Sequence, residues 1–233
     1  MATLMILPGL DGTDVFFRPF MAALPPSIRP IAIPYPQSGR SYEDLLPLVR
    51  RPIAESGPCY VLGSSFSGPL ALMLARENPD NVRGLILAAT FLRSPRRRWM
   101  RLRFAMVGPV VWTVRAARRV PVWMLRRRQD PLRRAKAETW ARVSARVLAA
   151  RARAVVDVDV REVIRGCRQP MLCIAFDADR VVPPANAEEI LRLSPSAQLV
   201  VLPGRHLAMH LDPDPLAAAV ARFIDSVERR TSP

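Results

Sequence analysis

Six short apolar runs recur along the chain: Thr3–Pro8, Ile28–Ile33, Cys59–Gly63, Gly84–Ala89, Met171–Phe176 and Gln198–Leu202. Each is five or six residues long and most are apolar on consecutive positions, which is the pattern of a strand buried on both faces. Stretches of helical rhythm separate them, at 14–24, from Ser41 onward, from Ser65 to about Asn78, at 184–193 and at 214–229. Ser41-Tyr42-Glu43-Asp44 reads as a helix start, with Ser41 as cap and an acidic first turn. Strand alternating with helix predicts a six-stranded parallel sheet covered by helices on both faces. Ligands of such sheets lie beyond the C-terminal ends of the strands.

Residues 93–155 break this rhythm. Arginine-rich pieces of helical character are separated by Pro109, Pro121 and Pro131. Over 131–154, Trp140, Val143, Val147, Ala150 and Ala154 share one helical face and Arg142, Arg146 and Arg153 share another, which predicts an amphipathic helix lying on something apolar. The division expected is a core of residues 1–92 and 156–233, with 93–155 as a helical cap inserted after the fourth strand. All four tryptophans (Trp99, Trp112, Trp123 and Trp140) fall in that insertion, and cap core or pocket lining accounts for them.

Charge sharpens the division. The net charge of +15 is concentrated in residues 93–168, where 22 basic and five acidic side chains leave +17, while the remainder of the chain carries −2. One lysine against 34 arginines marks a compositional bias, so a solvated face is the plain reading. The sharper reading is an anionic partner, such as lipid headgroups, a phosphorylated substrate or an acidic carrier, with an anionic membrane surface the one carried forward. A nucleic-acid partner is disfavoured, because aromatics are only 6% of the chain and no recognition motif is present. No apolar run has the length of a membrane span and the N-terminus does not read as a secretory signal. The three cysteines, Cys59, Cys167 and Cys173, have neither metal nor redox spacing and read as buried thiols. A cytoplasmic protein is expected, able to lie against a membrane through its basic segment.

Three strand ends carry candidate chemistry. The third run ends in Gly63-Ser64-Ser65-Phe66-Ser67-Gly68 and passes at once into an Ala-rich helix. Strand, sharp turn and helix are the context of a nucleophile elbow, in which residues two positions either side of the serine must be small. Gly63 and Ser67 meet that demand; the alternative is that the serines only cap the helix. The first run ends in Gly9-Leu10-Asp11-Gly12, a turn able to aim a backbone N–H at a substrate oxygen, or simply a turn. The fifth ends in Asp177-Ala178-Asp179, where either carboxylate could orient a histidine, and the sixth is followed by Gly204-Arg205-His206. His206 and His210 are the only histidines of the chain.

Taken together, serine, aspartate and histidine follow one another in the order used by hydrolases of this sheet type, each past a different strand. On the elbow, the Asp179-Arg180-Val181-Val182-Pro183 piece and the Gly-x-His piece, the chain resembles the α/β-hydrolase superfamily, in particular small bacterial serine hydrolases of the carboxylesterase and lysophospholipase type. The resemblance covers nearly the whole chain outside the insertion and starts at what corresponds to that family's third strand. It implies Ser65 as nucleophile, His206 as general base and Asp179 as the acid, with Asp177 the rival. It implies the backbone N–H groups of Leu10 and Phe66 as the oxyanion hole. Ser67 stands where the family usually has a second glycine, and Pro8 where a histidine is common. The implied activity is cleavage of an ester or thioester through an acyl-enzyme, without metal or cofactor. Acyl transfer to an alcohol or amine, and a non-catalytic binding module of the same fold, are the alternatives. A dehalogenase or epoxide hydrolase would need an aspartate in place of Ser65.

Overall fold

The computed structural model describes residues 1–77, 80–95 and 130–231. The six apolar runs form strands β1 (Ala2–Leu7), β2 (Ile28–Ala32), β3 (Cys59–Ser64), β4 (Val82–Ala88), β5 (Met171–Phe176) and β6 (Gln198–Leu202). They pair in the order β2-β1-β3-β4-β5-β6, every pair parallel. Leu7 pairs with Gly63, Ser64 with Ala88 and Phe176 with Leu202, so neighbouring strand ends come level with one another. The loops that leave β1, β3, β5 and β6 therefore emerge along one edge of the sheet.

Alternation along the strands divides the core into two layers. Met5, Leu7, Val61, Leu85, Leu87 and Cys173 face helices α2 (Tyr42–Glu55), α3 (Gly68–Glu77) and α7 (Ala185–Leu193). Leu4, Ile6, Leu62, Ile86 and Ile174 face α1 (Arg18–Ala23) and the long C-terminal α9 (Asp214–Thr231). Each fully buried apolar side chain contributes about 1.5–3 kcal/mol over its exposed state. Ser41 caps α2 in a reciprocal box with Asp44, as its sequence implies. The cysteines are free, with Cys59 and Cys173 buried and Cys167 half-buried. Desolvation pushes the Cys173 thiol up to about 12 and that of Cys167 to about 11, as expected of packing residues.

The described part of the insertion departs from expectation in one respect. Residues 131–154 do not form one helix. α4 (Pro131–Arg142) ends, and α5 (Ala145–Asp157) starts afresh with Ser144 as its cap, accepting from the Val147 N–H at 3.3 Å. The side-chain amide of Gln37 spans the break: it donates to the Arg142 carbonyl at 2.8 Å and accepts from the Ser144 N–H at 3.1 Å. A stripe with helical period reads on through such a break, because period alone cannot register a cap held by a residue over a hundred positions away. Arg142 is exposed, as its place on the polar face implies, and is ion-paired to Asp14 at 3.3 Å and Glu138 at 2.5 Å, with Arg18 bridging the same two carboxylates. Two short helices, α6 (Arg161–Arg165) and α8 (Ala208–Leu211), were not expected. The arginine-rich pieces around Pro109 and Pro121, and Trp99, Trp112 and Trp123, lie outside the described residues.

The start of α3 packs so closely on the segment after β4 that it requires glycine. A Cβ on Gly68 would stand 2.0 Å from the Thr90 hydroxyl. Gly68→Ala is expected to destabilise the protein by about 1–3 kcal/mol, the range for overpacking a tight contact. Denaturant unfolding should show a lower midpoint at unchanged slope; an unaltered midpoint would contradict the contact.

Candidate active site

β3 delivers Ser65 at its C-terminal end in a conformation few non-glycine residues adopt, with φ at +54°. The turn is braced from several sides. Gly63 lies where a Cβ would meet the Ser67 carbonyl at 2.6 Å and the Ala71 side chain at 2.8 Å. The Thr90 hydroxyl donates to the Ser65 carbonyl at 2.5 Å. The Tyr42 hydroxyl donates to the Phe66 carbonyl at 2.9 Å while its ring stacks on that of Phe66 at 4.7 Å. Ser67 proves to be more than small. Its fully buried hydroxyl accepts from the Ser64 N–H at 2.9 Å and donates to the Leu7 carbonyl at 2.6 Å, fastening the turn to the end of β1. A glycine there could do neither.

The braced turn points the Ser65 hydroxyl at His206. Nε2 of His206 lies 2.9 Å from Ser65 Oγ, and Nδ1 lies 2.7 Å from Asp179 Oδ2. An ionised carboxylate can only accept, so Nδ1 carries the proton toward Asp179 and Nε2 is left to accept the Ser65 O–H. The other oxygen of Asp179 accepts from the N–H groups of Val181 and Val182 at 2.7 and 2.9 Å. The side chain is thereby locked, with its carboxylate fully buried against the imidazole. Asp177 is turned elsewhere: it is exposed and accepts from the Gly204 N–H at 2.9 Å, holding the loop that carries His206. Of the two aspartates left open by sequence, Asp179 is the one the fold brings to the histidine. His210 stands apart in α8, its ring edge-on to Phe16 at 5.6 Å, and neither ring nitrogen has a hydrogen-bond partner among the described residues.

Leu10, Ser65 and Phe66 all lie on the wall of one cavity of about 390 Å³. Phe66 holds the second position of a short 3₁₀ turn, Ser65–Ser67, where a backbone N–H has no partner within the helix. Leu10 sits at the first central position of a turn closed by the Gly12 N–H donating to the Gly9 carbonyl at 3.0 Å. In a trans peptide, N–H and carbonyl point opposite ways. The Gly9 carbonyl faces into the turn, so the Leu10 N–H faces out of it. Elsewhere the described cavity wall is apolar, with Phe16, Phe91, Ala152, Val155, Val182 and Met209 among its residues. Ala152 and Val155 come from α5, which therefore roofs part of the site. The one carboxylate in the described wall, Asp11, accepts from both the N–H and the hydroxyl of Thr13, and burial raises its pKa above the ordinary carboxylate value. Sequence reasoning passed over two residues that shape this region, Thr90 and Arg151. Neither belongs to a motif, and only their contacts reveal them.

Comparisons with known proteins agree with the fold. In solved structures the same fold recurs in a hydrolase from Pseudomonas aeruginosa, 22% identical, with 96% of this chain and 89% of the other aligned at a TM-score of 0.78. An esterase from Exiguobacterium antarcticum is 17% identical, over 97% and 92% of the two chains at 0.80. An enol-lactonase from Burkholderia xenovorans is 19% identical, over 96% and 91% at 0.75. No curated protein sequence matches the chain. Residues 36–214 match the hydrolase family described as serine aminopeptidase, S33, and with that match over most of its length the chain belongs to this family of α/β hydrolases.

Proposed function

We propose that the protein is a serine hydrolase that cleaves an ester or thioester of an apolar acyl group through a covalent acyl-enzyme. The observation that carries this reading is the unbroken chain of contacts from Asp179 through His206 to Ser65, ending at the wall of an apolar cavity. As Ser65 Oγ attacks the acyl carbon, Nε2 of His206 takes its proton and then returns it to the leaving oxygen or sulfur. Asp179 holds the imidazole in the required tautomer and favours the imidazolium. The N–H groups of Phe66 and Leu10 receive the negative charge that develops on the carbonyl oxygen, a role worth about 3–4 kcal/mol for a donor of this kind. Water, activated by the same histidine, then releases the acid.

The family is described by an aminopeptidase activity, which asks for an anchor for the substrate's free ammonium group. Among the described residues of the cavity wall the only carboxylate is Asp11, and it is committed to Thr13 and displaced toward its neutral form by burial. An uncharged acyl group suits such a wall better than a peptide N-terminus does. The exposed Arg146 and Arg153 of α5 are read as a contact for anionic lipid headgroups, at about 1 kcal/mol per charge near such a surface. Arg142, spent on Asp14 and Glu138, is not part of it.

Ser65→Ala is expected to lower turnover of p-nitrophenyl esters by about 10⁴-fold or more without unfolding the protein, since the three side chains act as a unit. A fluorophosphonate probe should label Ser65, and labelling at another serine would refute the assignment. His206→Ala should be as damaging as Ser65→Ala, while His210→Ala should retain most activity; the reverse ranking would exchange their roles. For the acid, Asp179→Asn should cost about 10⁴-fold and Asp177→Asn far less, both read as kcat on the same ester. Binding to vesicles containing anionic lipid should exceed binding to neutral ones and weaken as salt is raised. Equal sedimentation with both kinds of vesicle would leave the arginines as a solvated face.

A further inference from the structure

Arg151 is the bulkiest fully buried side chain among the described residues, with 0% of its surface exposed, and it makes no ion pair among them. Burying a guanidinium without a carboxylate in ion-pair contact is costly, and desolvation lowers its pKa from the usual arginine value, opposed by the nearby Tyr35 and Asp11. What compensates is a fan of backbone carbonyls. Nε donates to Gly39 at 2.9 Å and Nη2 to Pro36 at 3.0 Å, while Nη1 donates to both Leu10 and Asp11, at 3.1 and 3.0 Å. The guanidinium carbon also lies 5.3 Å from the centre of the Tyr35 ring, and the Tyr35 hydroxyl donates to the Pro8 carbonyl at 3.2 Å. The partner loops are made for this approach. Gly12 has φ of +71°, and a Cβ there would stand 2.6 Å from Arg151 Nη1.

These contacts converge on one peptide turn. Tyr35 holds the Pro8 carbonyl, Gly12 holds that of Gly9, and Arg151 holds the next two, those of Leu10 and Asp11. Four successive carbonyls are thus tied, which holds the Gly9–Leu10 peptide, and with it the Leu10 N–H, in one orientation. We propose that Arg151 is a positioning residue for the oxyanion hole: it fixes the Leu10 N–H in its donating orientation, and it makes that donor dependent on the docking of α5 from the inserted segment. The proposal rests on the reading of Ser65, His206 and Asp179 as a serine hydrolase centre. A donor that drifts from its position is lost chiefly in the transition state, where the oxygen becomes charged, and much less when the neutral ester binds.

The test compares wild type with Arg151→Met and Arg151→Lys in the full chain, using a p-nitrophenyl ester, an alkyl boronic acid that forms a tetrahedral adduct with the serine, and an unreactive amide of the same chain length. Arg151→Met should lower kcat by about 10²-fold, the scale for loss of one oxyanion donor, with KM changed less than about threefold. Boronate affinity should fall in step with kcat and amide affinity should not. Arg151→Lys keeps the charge but not the fork, and should recover only a small part; it is read in the same way if Arg151→Met does not fold. A kcat within about threefold of wild type, a loss confined to KM, or equal loss of boronate and amide affinity would overturn the proposal. Wild type supplies the separate check: if it neither turns over ester nor reacts with fluorophosphonate at Ser65, the reading of the site fails, independently of Arg151.

Discussion

Everything in the site depends on one residue held in a left-handed conformation. A non-glycine side chain at positive φ costs about 1–3 kcal/mol, and Ser65 stays there because its surroundings leave it no alternative. Gly63 and Gly68 let strand, turn and helix close on one another, Thr90 takes the Ser65 carbonyl, and the Ser67 hydroxyl bolts the turn to the end of β1. Relaxation of this turn would withdraw the Ser65 hydroxyl from Nε2 of His206. The strain is therefore part of what aligns the chemistry.

The second dependence runs through the inserted segment. Where it is described, it is attached by polar contacts as well as by apolar packing. Gln37 spans the break between α4 and α5, Asp14 and Glu138 bind Arg18 and Arg142, and Arg151 reaches through to the loops after β1 and β2. The exposed ion pairs are worth little individually. The buried guanidinium is different, because removing its carbonyl partners, or removing it, leaves buried polar groups unsatisfied. α5 consequently makes two kinds of contact: Ala152 and Val155 line the cavity, and Arg151 donates to the Leu10 and Asp11 carbonyls. One helix thus reaches both the cavity wall and the loop after β1.

Much of this was legible in the chain itself. Six largely apolar runs separated by helical rhythm imply a parallel sheet, because a strand apolar on nearly every position has little to offer water; the edge strands β2 and β6 depart, with Arg29, Leu199 and Val201 exposed. The candidate residues follow from the sheet: Ser65, Asp179 and His206 each lie just past a strand end, where loops converge. Local steric rules made the small residues around Ser65 readable, and a local capping box made the start of α2 readable. These are short-range constraints, settled by residues a few positions apart.

What the sequence left open concerns contacts between residues far apart in the chain, which no local pattern encodes. Asp177 and Asp179 have the same chemistry and nearly the same position; only the packed loops turn one toward His206 and the other toward Gly204. Ser67 looked like a tolerated replacement for glycine, and its hydroxyl acquires a purpose only when the end of β1 lies beside it. The helical stripe over 131–154 ran on across Ser144 because periodicity carries no information about Gln37. Arg151 looked like one more arginine in a basic stretch and is the one that folding buries whole. Composition and period determined the sheet and the strand ends that carry the chemistry. Tertiary structure decided which way each polar group faces, because that choice is made by partners 27 to 141 residues distant in the chain.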